Sequence, residues 1–257
     1  MVRVSEFELP YGIKDIHGHS GFLREFNVPD GDGDALAEAI THSGIEQACF
    51  APFLGLTQDA EKGNRSIQAL SARHCSIRGL AVINPFDGDE TERELRYCFE
   101  ENSFAALQFH PQNAGVPDAH PGYEAALSYA NEHSIAVLWH YGGGAEYIGE
   151  LSRRYKNTNF ILEHYGTCWD GYSENEILDI LRLVRKYDNV YTDIAGSQCI
   201  RDSVSKVVQV TSAEKLLFGS DIGFLDGAYQ VGYIIRAKIP DEEKYAIMRG
   251  NYEKLVK

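Results

Sequence analysis

Eight short runs of β-forming residues alternate with stretches of helical periodicity along this chain, and that alternation leaves few folds open. The runs are GIKDIH (12–17), IEQACFAP (45–52), IRGLAVINP (77–85), FAALQFHP (104–111), IAVLWH (135–140), NFILEH (159–164), NVYTDIAG (189–196) and KLLFGSD (215–221). They are apolar on both faces, as strands of a parallel sheet covered on both sides must be. Between them apolar residues recur at helical spacing, as in DALAEAITHS (34–43), ETERELRYCFEEN (90–102), GYEAALSYANEH (122–133) and NEILDILRLVRKY (175–187). Two more helical segments, GAYQVGYIIRAK and EEKYAIMRGNYEKLVK, follow the last run. Eight strand–helix units in 257 residues fit an α/β fold of the (β/α)8 barrel type better than an open doubly wound sheet. The second unit is the least regular. No repeat, low-complexity segment or linker divides the chain, so residues 1–257 read as one barrel domain.

Charge and cysteine usage narrow the partners. The 38 acidic residues outnumber 24 basic ones, for a formal net charge of −14. Such a chain repels phosphate backbones and anionic lipid surfaces, which argues against nucleic acid and membranes. No apolar stretch approaches the roughly 18 residues of a membrane span, and MVRVSEFELPYG lacks the apolar core of a signal peptide. Cys49, Cys75, Cys98, Cys168 and Cys199 are odd in number, widely spaced and form no CxxC. They read as buried small hydrophobes or free thiols in a reducing compartment. The expectation is a soluble, cytoplasmic protein acting on a small molecule.

Active sites of such barrels lie at the C-terminal ends of the strands. His17 and His19 end the first run, His110 the fourth, His140 the fifth, His164 the sixth and Asp221 the eighth. His42, His74 and His133 fall on helices instead, and His120 in a loop. Residues two apart on a strand share a face, so His17 and His19 would present two imidazoles together, with Gly18 between them allowing close backbone approach. Taken singly, each has a plain reading. A strand-end histidine is commonly a hydrogen-bonded core or surface group, and the Asp of GSD a helix cap. Six such groups from five strands, all on one rim, point to a metal site.

The same stretches carry a family resemblance. DIHGHS (15–20), AALQFHP (105–111), VLWHYGG (137–143), FILEHYGT (160–167), LLFGSDIGF (217–225) and the terminal IMRGNYEKL (247–255) resemble the amidohydrolase superfamily. The likeness is to its amidohydrolase-2 branch, which contains the aminocarboxymuconate-semialdehyde decarboxylases and related lactone hydrolases. It implies one divalent metal ion, zinc first and manganese as the alternative, bound by His17, His19, His140 and Asp221. His164 would be a further ligand, or a group that orients the reacting water or carbonyl. Three imidazoles with a carboxylate suit zinc. A homodimer formed through the outer helices is also implied. One position departs from the pattern: many members carry lysine in strand 4 where this chain has Gln108. Glutamine cannot be carbamylated and carries no charge to balance a second cation, so a mononuclear site is expected. His110 remains, to bind substrate or to serve the structure.

A bound metal would lower the pKa of its water from about 15.7 towards 7, with Asp221 as general base and then acid and His164 stabilising an oxyanion. The first reading is therefore hydrolysis of a small amide, ester or lactone. The alternative is non-oxidative decarboxylation or hydration of a small unsaturated or aromatic acid by the same residues. A substrate carboxylate would need a cation such as Arg24, Arg65 or Arg201. Phe22, Phe53, Phe86, Tyr141, Tyr165, Trp169 and Phe224 follow the strands and would in part line a pocket for a planar substrate. Cys168 lacks a paired base and is set aside as a nucleophile. A barrel retained only for binding is disfavoured because the ligand set is intact.

Overall fold

The computed structural model describes residues 9–23, 33–88, 90–167, 174–196 and 202–256. Eight strands run parallel in sequence order: β1 (Ile13–Ser20), β2 (Ile45–Pro52), β3 (Ile77–Val82), β4 (Ala106–Phe109), β5 (Val137–Trp139), β6 (Phe160–Leu162), β7 (Val190–Asp193) and β8 (Leu216–Leu217). β8 returns to β1: Ile16 N donates to Phe218 O (3.0 Å), Asp221 N to His17 O (2.9 Å) and His19 N to Ile222 O (2.8 Å). The expected (β/α)8 barrel is the observed fold. Its second unit is indeed irregular, with the short helix Phe53–Thr57 preceding the main helix Ala60–Arg73.

Strand alternation divides the core in two. Phe50, Ala81, Leu107, Val137, Trp139, Leu162 and Leu216 face the outer helices. Their neighbours Cys49, Leu80, Ala106, Leu138, Ile161 and Leu217 fill the barrel, together with Ile16 and Tyr191. Tyr252, Leu255 and Val256, on or just after the terminal helix Asn251–Leu255, join this inner cluster. Arg249, just before that helix, donates to Gly12 O (2.8 Å) at the foot of β1. The barrel is therefore packed at its N-terminal end, and its polar residues gather at the opposite rim. Among the described residues, no helix is long and apolar enough to cross a membrane. Cys49 and Cys98 are buried free thiols and Cys75 an exposed one; Cys168 and Cys199 lie outside the described residues.

Candidate metal centre

The first local feature that builds the rim is a bulge in β1. Asp15 pairs with Ala48 and Gly18 with Phe50, so β1 carries one residue more than β2 across this step. A bulge re-aims the side chains that follow it. Ile16 can thus pack inside the barrel while His17 and His19 also face inward. Gly18 is required where it sits: a Cβ there would stand 2.9 Å from Ile222 Cγ2 and 3.0 Å from the carbonyl oxygens of Cys49 and Ile222.

His17 is fully buried, and its orientation is set by β7. Nδ1 donates to Asp193 Oδ2 (2.7 Å), so the neutral ring keeps its lone pair on Nε2. That atom lies 3.2 Å from His19 Nε2, 3.0 Å from Asp221 Oδ1 and 3.6 Å from Glu163 Oε2. Asp193 also accepts from the backbone N–H of His164 (2.7 Å) and of Ala195 (3.1 Å). Asp15 does comparable work from below, accepting from His17 N (3.0 Å), Ser220 N (3.2 Å) and the Ser220 hydroxyl. It ties β1 to the loop that carries Asp221, and burial pushes its carboxyl up to about 7 despite those donors.

Glu163 stands at the centre of the other half. Gln108 Nε2 donates to its Oε1 (2.6 Å), while Oε2 lies 3.1 Å from His140 Nδ1 and 3.7 Å from His164 Nε2. His164 Nδ1 in turn lies 3.6 Å from Asp221 Oδ2. Burial alone would raise both carboxyls, but the imidazoles overcome it. His17, with His140 and His164, holds Glu163 well below the usual carboxylate range. His17, His164 and His19 bring Asp221 down to about 2. The same acids, Asp221 first, raise His17 well above the ordinary histidine value against its burial. His110 stacks on His140 (4.0 Å, 8°), and burial beside that ring drives it well below the ordinary value. Its Nδ1 accepts from Asn113 N (3.3 Å), which leaves the proton of the neutral ring on Nε2.

The five residues expected to form the site, His17, His19, His140, His164 and Asp221, are brought together. His110 joins the cleft lining but stands outside the metal-capable groups. Those groups are His17, His19 and Asp221; His140, Glu163 and His164; and His17, His164 and Asp193. Their chemistry fits a divalent ion. Asp221 is 1% exposed, yet neither oxygen makes a hydrogen bond, and His140 Nε2 and His19 Nδ1 are likewise buried without a partner. A carboxylate left so among imidazole nitrogens is costly unless a cation completes it.

Above the donors opens a cleft of about 410 Å³ lined by His19, Leu23, Phe53, His110, Gln112, Asn113, His140, Glu163, His164, Asp221 and Phe224. Phe53 stacks on His19 (4.6 Å, 11°). Of the aromatics expected there, only Phe53 and Phe224 take part. Tyr141 and Tyr165 are buried in the outer core, Phe22 and Phe86 are exposed, and Trp169 lies outside the described residues. Arg65 is not a substrate ligand: it forms a two-pronged pair with Glu94 (2.8 and 3.0 Å) on the outer helices. Arg24, Arg201 and Cys168 lie outside the described residues.

Glu163, Asp193 and Asp15 were missed in the sequence. Asp193 was within reach of the strand period, two residues beyond the inward Tyr191. Glu163 was not, because alternation sets it opposite its neighbour His164. His164 adopts φ +54° and Tyr165 φ +61°, outside the strand region, and that break turns both adjacent side chains to one centre.

A family model described as amidohydrolase matches residues 15–257. No curated protein sequence matches the chain. Among solved structures, 2,6-dihydroxybenzoate decarboxylase complexed with 2,6-dihydroxybenzoate superposes with a TM-score of 0.74 at 13% identity, over 95% of this chain and 98% of that one. For 4-oxalomesaconate hydratase from Rhodopseudomonas palustris the TM-score is 0.69 at 17% identity, over 95% of each chain. A dihydroxybenzoic acid decarboxylase from Polaromonas sp. JS666, with bound manganese and 2-nitroresorcinol, gives 0.68 at 15%, over 95% and 96%. At these identities the likeness is one of fold.

Proposed function

The chain belongs to the amidohydrolase family and is an enzyme of that superfamily, and on that premise we propose that it is a metal-dependent decarboxylase of a small aromatic or unsaturated carboxylic acid. His17, His19 and Asp221 would hold the ion, with His140 and His164 completing the set. The donors suit zinc and manganese alike. When bound, the ion would act as a Lewis acid that polarises a substrate oxygen and offsets developing negative charge.

The observation that carries this reading is the cleft. Its lining combines the apolar side chains of Leu23, Phe53 and Phe224 with the polar ones of His110, Gln112 and Asn113. Its volume matches a single substituted ring. Asn113 Nδ2 is buried without a partner and would donate to a ring substituent; His110 Nε2–H is a second donor. Asp221, ionised at neutral pH, would accept the proton of a hydroxyl beside the scissile carboxylate. As the bond to the carboxyl carbon breaks, CO2 leaves, the electron pair stays on the ring carbon, and Asp221 returns the proton there. Hydrolysis, the first reading from sequence, has less support. The similar solved structures named above include decarboxylases and a hydratase.

The test is CO2 release from a panel of hydroxybenzoic and unsaturated acids by Mn2+- or Zn2+-loaded protein, run in D2O. One deuterium on the former carboxyl-bearing carbon is expected. Cleavage of esters or lactones with no CO2 from any acid overturns the proposal.

A further inference from the structure

The backbone of His164 is held at both of its polar groups: the N–H donates to Asp193 Oδ1 (2.7 Å) and the C=O accepts from Thr167 Oγ1 (2.7 Å). Its ring leans on Gly196, which lies just beyond the end of β7. A Cβ built on Gly196 would stand 2.8 Å from His164 Nδ1, 3.4 Å from Cε1 and 3.5 Å from Cγ, so the bare backbone there forms one wall against the imidazole. Gly196 is buried and adopts φ +95°, a conformation that suits glycine and strains other residues. Its carbonyl accepts from Gln230 Nε2 (2.6 Å), and Gln230 is 1% exposed. We propose that Gln230 is a positioning residue for the reaction: it holds Gly196 against His164 and thereby sets that imidazole between Glu163 and Asp221.

Gln230 lies on the helix Gly227–Ile235, which Asp226 caps by accepting from Ala228 N (3.0 Å). The loop that carries Asp221 runs directly into this helix. One amide therefore ties the segment after β7, which walls His164, to the segment after β8, which supplies Asp221. Clearances at the ring are small. His164 Nδ1 stands 3.6 Å from Asp221 Oδ2 and Nε2 3.7 Å from Glu163 Oε2. Its centroid lies 5.0 Å from that of the His17 ring and 5.3 Å from that of His140. A retreat of Gly196 would open space on one side of the ring only, and rotation into that space changes both carboxylate distances. Position 230 sits among the buried Gly227, Val231 and Ile234, where an apolar side chain is the plain choice and an amide is costly unless bonded. The effect on rate rests on the reaction proposed above; the contact with His164 does not.

Two variants of the full chain test this. Gln230→Met keeps the side-chain length and removes the donor, whereas Gly196→Ala keeps the donor and sets a methyl against His164 Nδ1. Long-range proton–nitrogen spectra of the metal-free protein report the His164 ring, with its signals assigned by their loss in His164→Asn. CO2 release by Mn2+-loaded protein, on the acid of the panel turned over fastest, gives kcat and KM. Both variants should move the His164 nitrogen signals and lower kcat by about 10–100-fold, as a misplacement of about 1 Å does. KM should stay within about two-fold, since the ring's placement is used in the transition state rather than in binding. Asn64→Ala, on the outer helix Ala60–Arg73, controls for lost stability alone and should leave both readings at wild type. If Gln230→Met does not fold, Gly196→Ala decides. Unmoved His164 signals make Gln230 a structural brace and overturn the proposal, as do moved signals with wild-type kcat. Should the wild type release no CO2 from any acid, the proposed reaction falls, and the nitrogen spectra still decide what Gln230 holds.

Discussion

Asp193→Asn changes one atom, and the structure specifies what it does to a residue on another strand. The carboxylate is fully buried and used on both oxygens: Oδ1 accepts from His164 N and Ala195 N, and Oδ2 from His17 Nδ1. An asparagine can keep its oxygen on the two backbone donors, but its amide then points an N–H at His17 Nδ1. The alternative flip leaves two buried backbone N–H groups facing an NH2, at about 1–3 kcal/mol each. His17 therefore moves its proton to Nε2, the atom 3.0 Å from Asp221 Oδ1 and 3.2 Å from His19 Nε2. That atom can no longer offer a lone pair. Loss of such an orienting carboxylate weakens metal binding by about 10–100-fold, or about 1.4–2.7 kcal/mol. Competition for Zn2+ against a chromophoric chelator measures this directly, and nitrogen-15 spectra of the His17 ring report the tautomer. A folded Asp193→Asn with wild-type affinity and an unprotonated Nε2 would refute the reasoning.

Three further substitutions test separate parts of the structure. Gly18→Ala places a methyl against the carbonyl oxygens of Cys49 and Ile222, which cannot yield as a side chain would; urea denaturation should show a loss of about 1–3 kcal/mol, and an unchanged midpoint counts against the close approach. Asn64→Ala strips Val82 of partners for both its N–H and C=O and removes a donor to Glu94. Denaturation should show a loss of about 2–5 kcal/mol from those unpaired groups, with metal content per folded chain unchanged. Phe53→Ala removes the ring stacked on His19. A rise in KM of about 2–10-fold with little change in kcat is expected from one aromatic contact, and a fall in kcat alone would show that the ring positions His19 rather than substrate.

The fold was open to reading because parallel strands buried on both sides announce themselves by composition and count. β2 emerges at the very residues read as its run, Ile45–Pro52. β1 continues past its run to Ser20, whereas the remaining strands end sooner than theirs, since His110, His140, His164 and Asp221 belong to the segments beyond. The site was half open. Placing His17 and His19 on one face needs only the strand period, but which face needs the bulge between Asp15 and Gly18, and that depends on how β2 pairs. Arg65 shows the opposite failure. Its charge alone made it one of three candidates for a substrate carboxylate, whereas its partner Glu94 lies 29 residues along the chain and only packing brings the two together.

The same reasoning explains why the rim concentrates unusual backbone. His164, Tyr165 and Asp221 all adopt positive φ, at +54°, +61° and +58°, each at about 1–3 kcal/mol for a residue other than glycine. A regular strand sends adjacent side chains to opposite faces, so a regular β6 could not offer both Glu163 and His164 to one centre. Leaving the strand at His164 lets β6 deliver Glu163 and His164 together, and leaving it at Asp221 turns that carboxylate back over β1. Each departure is held by bonds that also orient a donor. Asp193 accepts from His164 N, Thr167 Oγ1 donates to His164 O (2.7 Å), Asp221 N donates to His17 O, and Ser220 Oγ is fixed to Asp15 while accepting from Ile222 N (3.0 Å). The strain and the crowding of donors are therefore one feature: relaxing the backbone at His164 would set Glu163 and His164 on opposite faces of β6 and dissolve the group they form with His140.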